Sequence, residues 1–196
     1  MTRGIVVSLA VLLLVAAGMG GYAWHLHKKV TAEEERLAIQ QQTAPPPASG
    51  PTGTVTLFLA SDADATLYKK QVNIPLPAER SEQARAILRA LFGTYLQSGS
   101  PHPIGAGSDV RDVYLLSDGS AVVDTNAAFA DAHPSGVLAE ELTITSIVAT
   151  LNANDPKITS VKIIVNGAER DTLAGHADLR RFYLASNMGQ LAKELQ

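Results

Sequence analysis

Three histidines, His102, His133 and His176, are the side chains in the C-terminal part of this 196-residue chain best suited to metal or acid–base chemistry. A zinc hydrolase needs three such ligands and an activating carboxylate. None of the three pairs with a histidine or carboxylate four residues away on a predicted helix, and the sequence has no His-Glu-x-x-His motif. Loops could still bring His102, His133 and Asp131 together, which leaves a zinc hydrolase open. The simpler interpretation is that His133 and His176 are loop histidines bonded to backbone groups.

Acidic pairs could instead serve glycoside hydrolysis, in which two carboxyl groups stand about 5 to 10 Å apart. Asp124 ends a predicted strand, and Glu140 and Glu141 follow an irregular segment. A helix start that favours both glutamates through its dipole is the simpler account. No serine lies in a Gly-x-Ser-x-Gly elbow, and Gly105-Ala106-Gly107 lacks the lysine of a phosphate-binding loop. We therefore assign no catalytic, cofactor-binding or metal-binding residue and predict that the protein is not an enzyme.

Composition excludes several classes of protein. Hydrophobic residues make up 46% and charged residues 18%, which excludes a disordered chain. The absence of cysteine excludes disulfides, thiol nucleophiles and a cysteine-linked lipid anchor. The net charge is −3, and the basic residues of the C-terminal part form short pairs, Lys69-Lys70 and Arg180-Arg181. We therefore expect no nucleic-acid partner.

The N-terminal segment, residues 1–27, predicts a transmembrane anchor. Ile5 to Trp24 contains no charged residue, and twenty residues of helix match the roughly 30 Å hydrocarbon core of a bilayer. A cleaved signal peptide is the alternative, because Arg3 precedes an apolar core and Gly21 and Ala23 offer a small-residue cleavage site. Both interpretations export the rest of the chain. We expect a single-pass protein of the inner (cytoplasmic) membrane, held in the lipid bilayer through residues 5–24, with a periplasmic C-terminal domain.

A polar linker, residues 28–53, follows the predicted anchor. Its three consecutive prolines, Pro45 to Pro47, favour extended polyproline II, which makes a semi-rigid spacer. The linker is therefore predicted to hold a domain away from the membrane, although a ligand for a proline-recognition module is an alternative. The domain is predicted over residues 54–185 and a helical tail over residues 186–196.

Alternating and helical patterns predict an α+β domain. The predicted strands are Thr54–Leu59, Leu67–Ile74, Val110–Leu116, Ala121–Thr125 and Val161–Val165. The predicted helices are Ser81–Leu96, capped by Ser81, Val137–Leu151, and a short Asp178–Leu184. In Val137–Leu151 many β-branched residues favour a strand, but the spacing and length favour a helix. Two crossover helices on one sheet give a βαββαβ two-layer sandwich behind one N-terminal transmembrane helix.

The order of these segments resembles the GerMN domain family of sporulation, spore germination and other bacterial envelope proteins. The resemblance covers roughly Thr54 to Leu184 and rests on TVTLFLA, ARAILRALFG and VRDVYLLSDGSAVVDTNAAF. Its most specific part is ELTITSIVATLNANDPKITSVKIIVNG, a helix ending in Thr150-Leu151 and a strand ending in Asn166-Gly167. Gly175-His176 matches a frequent closing turn of the family.

The resemblance implies a binding or assembly role near peptidoglycan. Envelope proteins, peptidoglycan or further copies in a homo-oligomer are the expected partners, and a peptidoglycan or polysaccharide hydrolase is the alternative function. The sheet edges and the loop Gln97–Ser108 are the predicted contact surfaces, because edge strands carry unpaired backbone groups.

Overall fold

The computed structural model describes residues 50–187. The predicted anchor or signal peptide, nearly all of the predicted linker and most of the predicted helical tail therefore lie outside the described residues. Within residues 50–187, no helix combines the length and the apolar character that crossing a membrane requires.

Two long strands form the first layer. β1 (Thr52–Ser61) and β2 (Thr66–Pro75) pair antiparallel in a continuous register, as the two predicted strands require. Val55, Leu57 and Leu59 on β1 are buried, because alternate residues of the strand face the core. Most of β2 is exposed.

Helix α1 (Arg80–Tyr95) follows the hairpin and buries one face against β3 (Val110–Leu115). The prediction that Ser81 caps the helix is wrong. The helix begins one residue earlier, and the carboxylate of Glu79 accepts hydrogen bonds from the amides of Ser81 and Glu82.

A four-stranded sheet forms the second layer, in the order β3-β4-β5-β6. Its further strands are β4 (Ser120–Thr125), β5 (Ser160–Val165) and β6 (Tyr183–Leu184). β4 and β5 are parallel and the other pairs are antiparallel. The α+β class is confirmed, but the expectation of a single sheet is wrong, because β1 and β2 form a separate two-stranded sheet.

Two segments between strands differ from the predictions. The predicted irregular segment before Val137 contains a short helix, α2 (Ala127–Asp131), whose first turn is capped by Asn126. The predicted helix Asp178–Leu184 is absent. Its place is taken by a turn and by β6, since Leu179 N bonds to Asp171 O at 3.0 Å and Tyr183 pairs with Val161.

Helix α3 (Val137–Asn154) confirms the helical interpretation of the ambiguous segment. It lies along β1 and contacts α1, so it is buried on most of its circumference. Full burial explains why its residues are apolar or β-branched on several faces and why the pattern was ambiguous. The hydroxyl of Thr145 bonds to the carbonyl oxygen of Glu141 within the helix at 2.7 Å, which satisfies a buried polar group.

Candidate functional site

His102 and His133 meet inside the domain at the hydroxyl of Thr143 on α3. The Nε2 atoms of His102 and His133 lie 2.6 and 2.8 Å from Thr143 Oγ1. The Nδ1 atom of His102 contacts Asp62 Oδ1 at 2.5 Å, and that of His133 contacts the carbonyl oxygen of Pro134 at 2.8 Å. His102 and Thr143 have 0% of their surface exposed, so a substrate in solution does not reach this histidine cluster.

The ligand set that a zinc hydrolase would need is not assembled. Asp131, the third member of the predicted alternative, forms an ion pair with Arg170 at 2.5 Å on the surface. Across residues 50–187, no group of three histidine, cysteine or acidic side chains is arranged to hold a metal ion. The Nε2 atoms of both histidine rings are instead engaged by the hydroxyl of Thr143.

Burial also lowers the pKa of His133, because its ring is removed from water. The neutral ring is therefore favoured more in the folded chain than in the unfolded chain. This contribution to stability is complete above the unfolded value of about 6.5 and is lost as the pH falls through the lowered native pKa. We expect the free energy of unfolding to fall between pH 7.5 and pH 5, and His133→Gln to flatten this slope in urea titrations. An equal slope in the variant would contradict this assignment.

Glu140 is completely buried in the first turn of α3 and holds the loop that precedes β6. Its Oε2 accepts hydrogen bonds from the amides of Ala174, His176 and Ala177 at 3.0, 2.9 and 2.8 Å. Its Oε1 contacts the Nδ1 atom of His176 at 2.8 Å and accepts from the Gly136 amide at 3.2 Å. Burial alone would raise the pKa of Glu140, but these hydrogen bonds outweigh it and lower the pKa to about 2.

Two of the three acidic residues considered for glycoside hydrolysis, Asp124 and Glu140, bind backbone amides. Asp124 accepts a hydrogen bond from the Gly167 amide at 2.8 Å, and Arg111 Nε lies 3.6 Å from its other oxygen. Glu140 does stand at a helix start, but its main role is to order the Gly175-His176 turn. The interpretation of His176 as a histidine bonded to backbone groups is wrong for its ring, which contacts the Glu140 carboxylate.

The edge of β1 that faces away from β2 is closed by polar side chains. Along β1, the amides of Thr56, Phe58 and Ala60 donate to Asn154 Oδ1 at 3.0 Å, Thr150 Oγ1 at 2.9 Å and Tyr95 Oη at 2.9 Å, respectively. Two acceptors of β1 are satisfied in the same way, because Asn154 Nδ2 donates to Thr56 O and Ser146 Oγ donates to Phe58 O.

Ser146, Thr150 and Asn154 are spaced by four residues and so form one polar stripe on α3. This stripe explains why the hairpin is a separate sheet: helix side chains occupy the edge with which another strand would pair. Burial raises the pKa of Tyr95 to about 12, so its hydroxyl stays protonated beside the stripe.

No described strand or helix pairs with the outer edge of β2. Because Thr56, Phe58 and Ala60 direct their amides away from β2, their cross-strand partners Gln71, Lys69 and Leu67 direct theirs away from β1. Lys69 and Gln71 are exposed. These three residues thus present backbone N–H and C=O groups that have no hydrogen-bond partner within residues 50–187.

The other edges are less suited to pairing. β3 contains a register shift between Val110 and Asp112, and the Asp112 carboxylate accepts from the Val113 amide at 2.8 Å. β6 has only two residues. The predicted contact loop Gln97–Ser108 is partly internal, since His102 and Ile104 are buried. Among the described residues, β2 therefore offers the longest regular edge.

Two lysines give the β2 edge a positive charge. Lys69 and Lys70 are exposed, and within the part of the chain that the structure describes no carboxylate forms an ion pair with either. Lys69 Nζ stands 5.3 Å from the centre of the Phe58 ring. Beside them lies an open groove of about 460 Å³, lined by Thr56, Phe58, Lys69, Gln71 and Ala153.

These features define a small α+β domain in which two sheets are joined through a buried helix. The family described as Germane, sporulation and spore germination, matches residues 56–171, and the chain belongs to this family. The resemblance to GerMN domains is thereby confirmed. No curated protein matches the sequence.

A solved structure of two GerMN domains is similar in fold. The tandem GerMN domains of the sporulation protein GerM from Bacillus subtilis are 17% identical, with a TM-score of 0.50. That match covers 67% of this chain and 45% of the tandem chain, so this chain spans less than half of that relative. The first GerMN domain of the same protein is 19% identical over 69% of this chain and 98% of that one, with a TM-score of 0.49. At these identities the likeness concerns the fold alone.

Proposed function

We propose that this chain is a membrane-tethered, extracytoplasmic GerMN-domain protein that acts as a non-catalytic binding or assembly module of the cell envelope. Its envelope role is linked to sporulation and germination or to peptidoglycan. The observation that carries the proposal is the contrast between the polar side chains inside the domain and the backbone groups at the edge of β2. His102, His133 and Glu140 bind internal groups, whereas β2 presents backbone groups that no other described residue pairs with.

The sequence supplies the tether. Ile5 to Trp24 is long and apolar enough to span a bilayer, and residues 28–53 provide a spacer between the membrane and the domain. On this proposal the β2 edge lies outside the cytoplasm, where envelope proteins and peptidoglycan are within reach.

Protease accessibility of the full chain, tagged after Gln196, tests the location. We expect the chain in the membrane fraction and resistant to carbonate extraction, with the tag digested in intact spheroplasts while a cytosolic marker survives. A tag that is digested only after lysis would place the domain in the cytoplasm and contradict the proposal.

Zymography of the full chain tests the absence of catalysis. We expect no clearing of peptidoglycan with or without Zn²⁺. Clearing that disappears in His133→Ala would support a hydrolase and overturn the non-catalytic assignment.

A further inference from the structure

We propose that the open edge of β2 binds an acidic, extended segment of a partner protein by strand addition. This inference rests on the proposed function, because it names the chemistry of the partner that the module would recognise. It concerns the hairpin alone and requires no contribution from the histidine cluster.

The backbone provides the affinity. Leu67, Lys69 and Gln71 alternate with residues that pair with β1, so their N–H and C=O groups lie along one edge at the spacing of a strand. The hairpin register is continuous from Thr52 to Ser61, with no shift that would bend the edge away from an incoming strand. An added strand would therefore extend the two-stranded sheet to three.

Of the two edges of the hairpin, only that of β2 is available to a partner strand. From Thr56 to Ala60, the edge of β1 that faces away from β2 is already bound by the Ser146, Thr150 and Asn154 stripe and by Tyr95, so a partner cannot pair there without displacing α3. A partner strand consequently meets β2, and the groove over Phe58 is available to side chains on one of its faces.

Charge selects the partner. Adjacent residues of a strand point to opposite faces, so Lys69 and Lys70 place one uncompensated positive charge on each face of the hairpin edge. Glutamate or aspartate on an added strand would meet a lysine on either face. In a second copy paired antiparallel at the same edge, these lysines would oppose each other, which is unfavourable. Charge complementarity therefore favours an acidic segment over self-association.

Fluorescence anisotropy with a defined peptide tests the proposal. The probe is a labelled peptide of about ten residues that alternates threonine and glutamate, titrated with the full chain in mild detergent. Two control peptides separate the contribution of charge from that of backbone hydrogen bonding. One replaces glutamate by lysine, and the other keeps glutamate but carries an N-methyl group at every residue, which removes the hydrogen-bond donors of both edges. We expect saturable binding of the acidic peptide alone, weakened by salt.

Three variants locate the site. Gln71→Pro removes an outward amide without removing a bond to β1, and it should weaken binding by about tenfold or more. Lys69→Glu should weaken binding by roughly fivefold, whereas Lys157→Glu, the same charge change on a turn outside the hairpin, should change it by less than about twofold.

The outcomes separate the possibilities. Equal binding of the N-methylated peptide would overturn strand addition, and equal binding of the lysine peptide would overturn charge selection. Absence of binding by the acidic peptide, or concentration-dependent dimerisation through β2 in sedimentation runs, would overturn the acidic partner. Any of these results with the domain still outside the cytoplasm would leave the proposed function standing.

Discussion

Replacing Thr150 by valine and Asn154 by alanine together should lower the free energy of unfolding by about 4 kcal/mol. The double variant removes the acceptors of the Thr56 and Phe58 amides and the donor to Thr56 O. These backbone groups are held between β1 and α3, so they lose their partners without gaining full access to water. Chemical denaturation of the full chain measures the loss, and amide hydrogen exchange should accelerate at Thr56 and Phe58.

Thr145→Val is the matched control for this variant. Thr145 is buried, as Thr150 is, but its hydroxyl bonds within α3 to Glu141 O and not to β1. We expect it to cost no more than about 1 kcal/mol and to leave exchange along β1 unchanged. If Thr145→Val lowered the free energy of unfolding as much as the double variant does, the polar stripe would not be what holds the hairpin.

Replacing Glu140 by glutamine should lower the free energy of unfolding by about 3 kcal/mol at pH 7. The amide group cannot accept from all the donors that surround the carboxylate, and its own N–H₂ must face one of them, such as the Gly136 amide. For a chain of this size the change corresponds to a drop in Tm of roughly 10 °C.

The effect of Glu140→Gln should depend on pH in one direction. The native pKa of Glu140 is lowered from 4.5 to about 2, so its contribution is complete above the unfolded value and is lost as the pH falls through the native one. The free energies of unfolding of the native chain and the variant should therefore converge between pH 4 and pH 2, an interval that lies between the unfolded and the native pKa of Glu140.

Glu141→Gln provides the comparison for Glu140→Gln. Glu141 is the neighbouring acid, only partly buried, and it should change stability by less than about 0.5 kcal/mol. A difference between the native chain and Glu140→Gln that stays constant down to pH 2 would rule out the buried carboxylate as its source.

Local patterns predicted most of the secondary structure because each depends on neighbouring residues. Asn166-Gly167 is one example: φ is 51° at Asn166 and 74° at Gly167, which is the left-handed conformation that this pair of residues tolerates in a tight turn. Alternation identified both strands of the first hairpin for the same reason. Helix α3 was harder, because burial on several sides removes the polar face that marks a surface helix.

Contacts between residues far apart in the chain could not be predicted from the sequence. The separation into two sheets depends on Ser146, Thr150 and Asn154 facing β1, which is almost one hundred residues away in the chain. A four-residue spacing of polar side chains on an otherwise apolar helix was the available signal. Glu140 carried a similar signal, an acid on a buried helix with a Gly-His turn downstream, but its partners could be identified only in the folded chain.

Photo-crosslinking in intact cells, with a photoreactive residue at position 71 of the full chain, tests the central claim most directly. Position 71 lies on the open edge of β2, and position 114 on the exposed face of the four-stranded sheet is the comparison. We expect a discrete adduct with an envelope protein from position 71, reduced when Lys69→Glu is added and absent from position 114. Adducts from position 114 alone, or adducts from position 71 only with cytosolic proteins, would contradict the account.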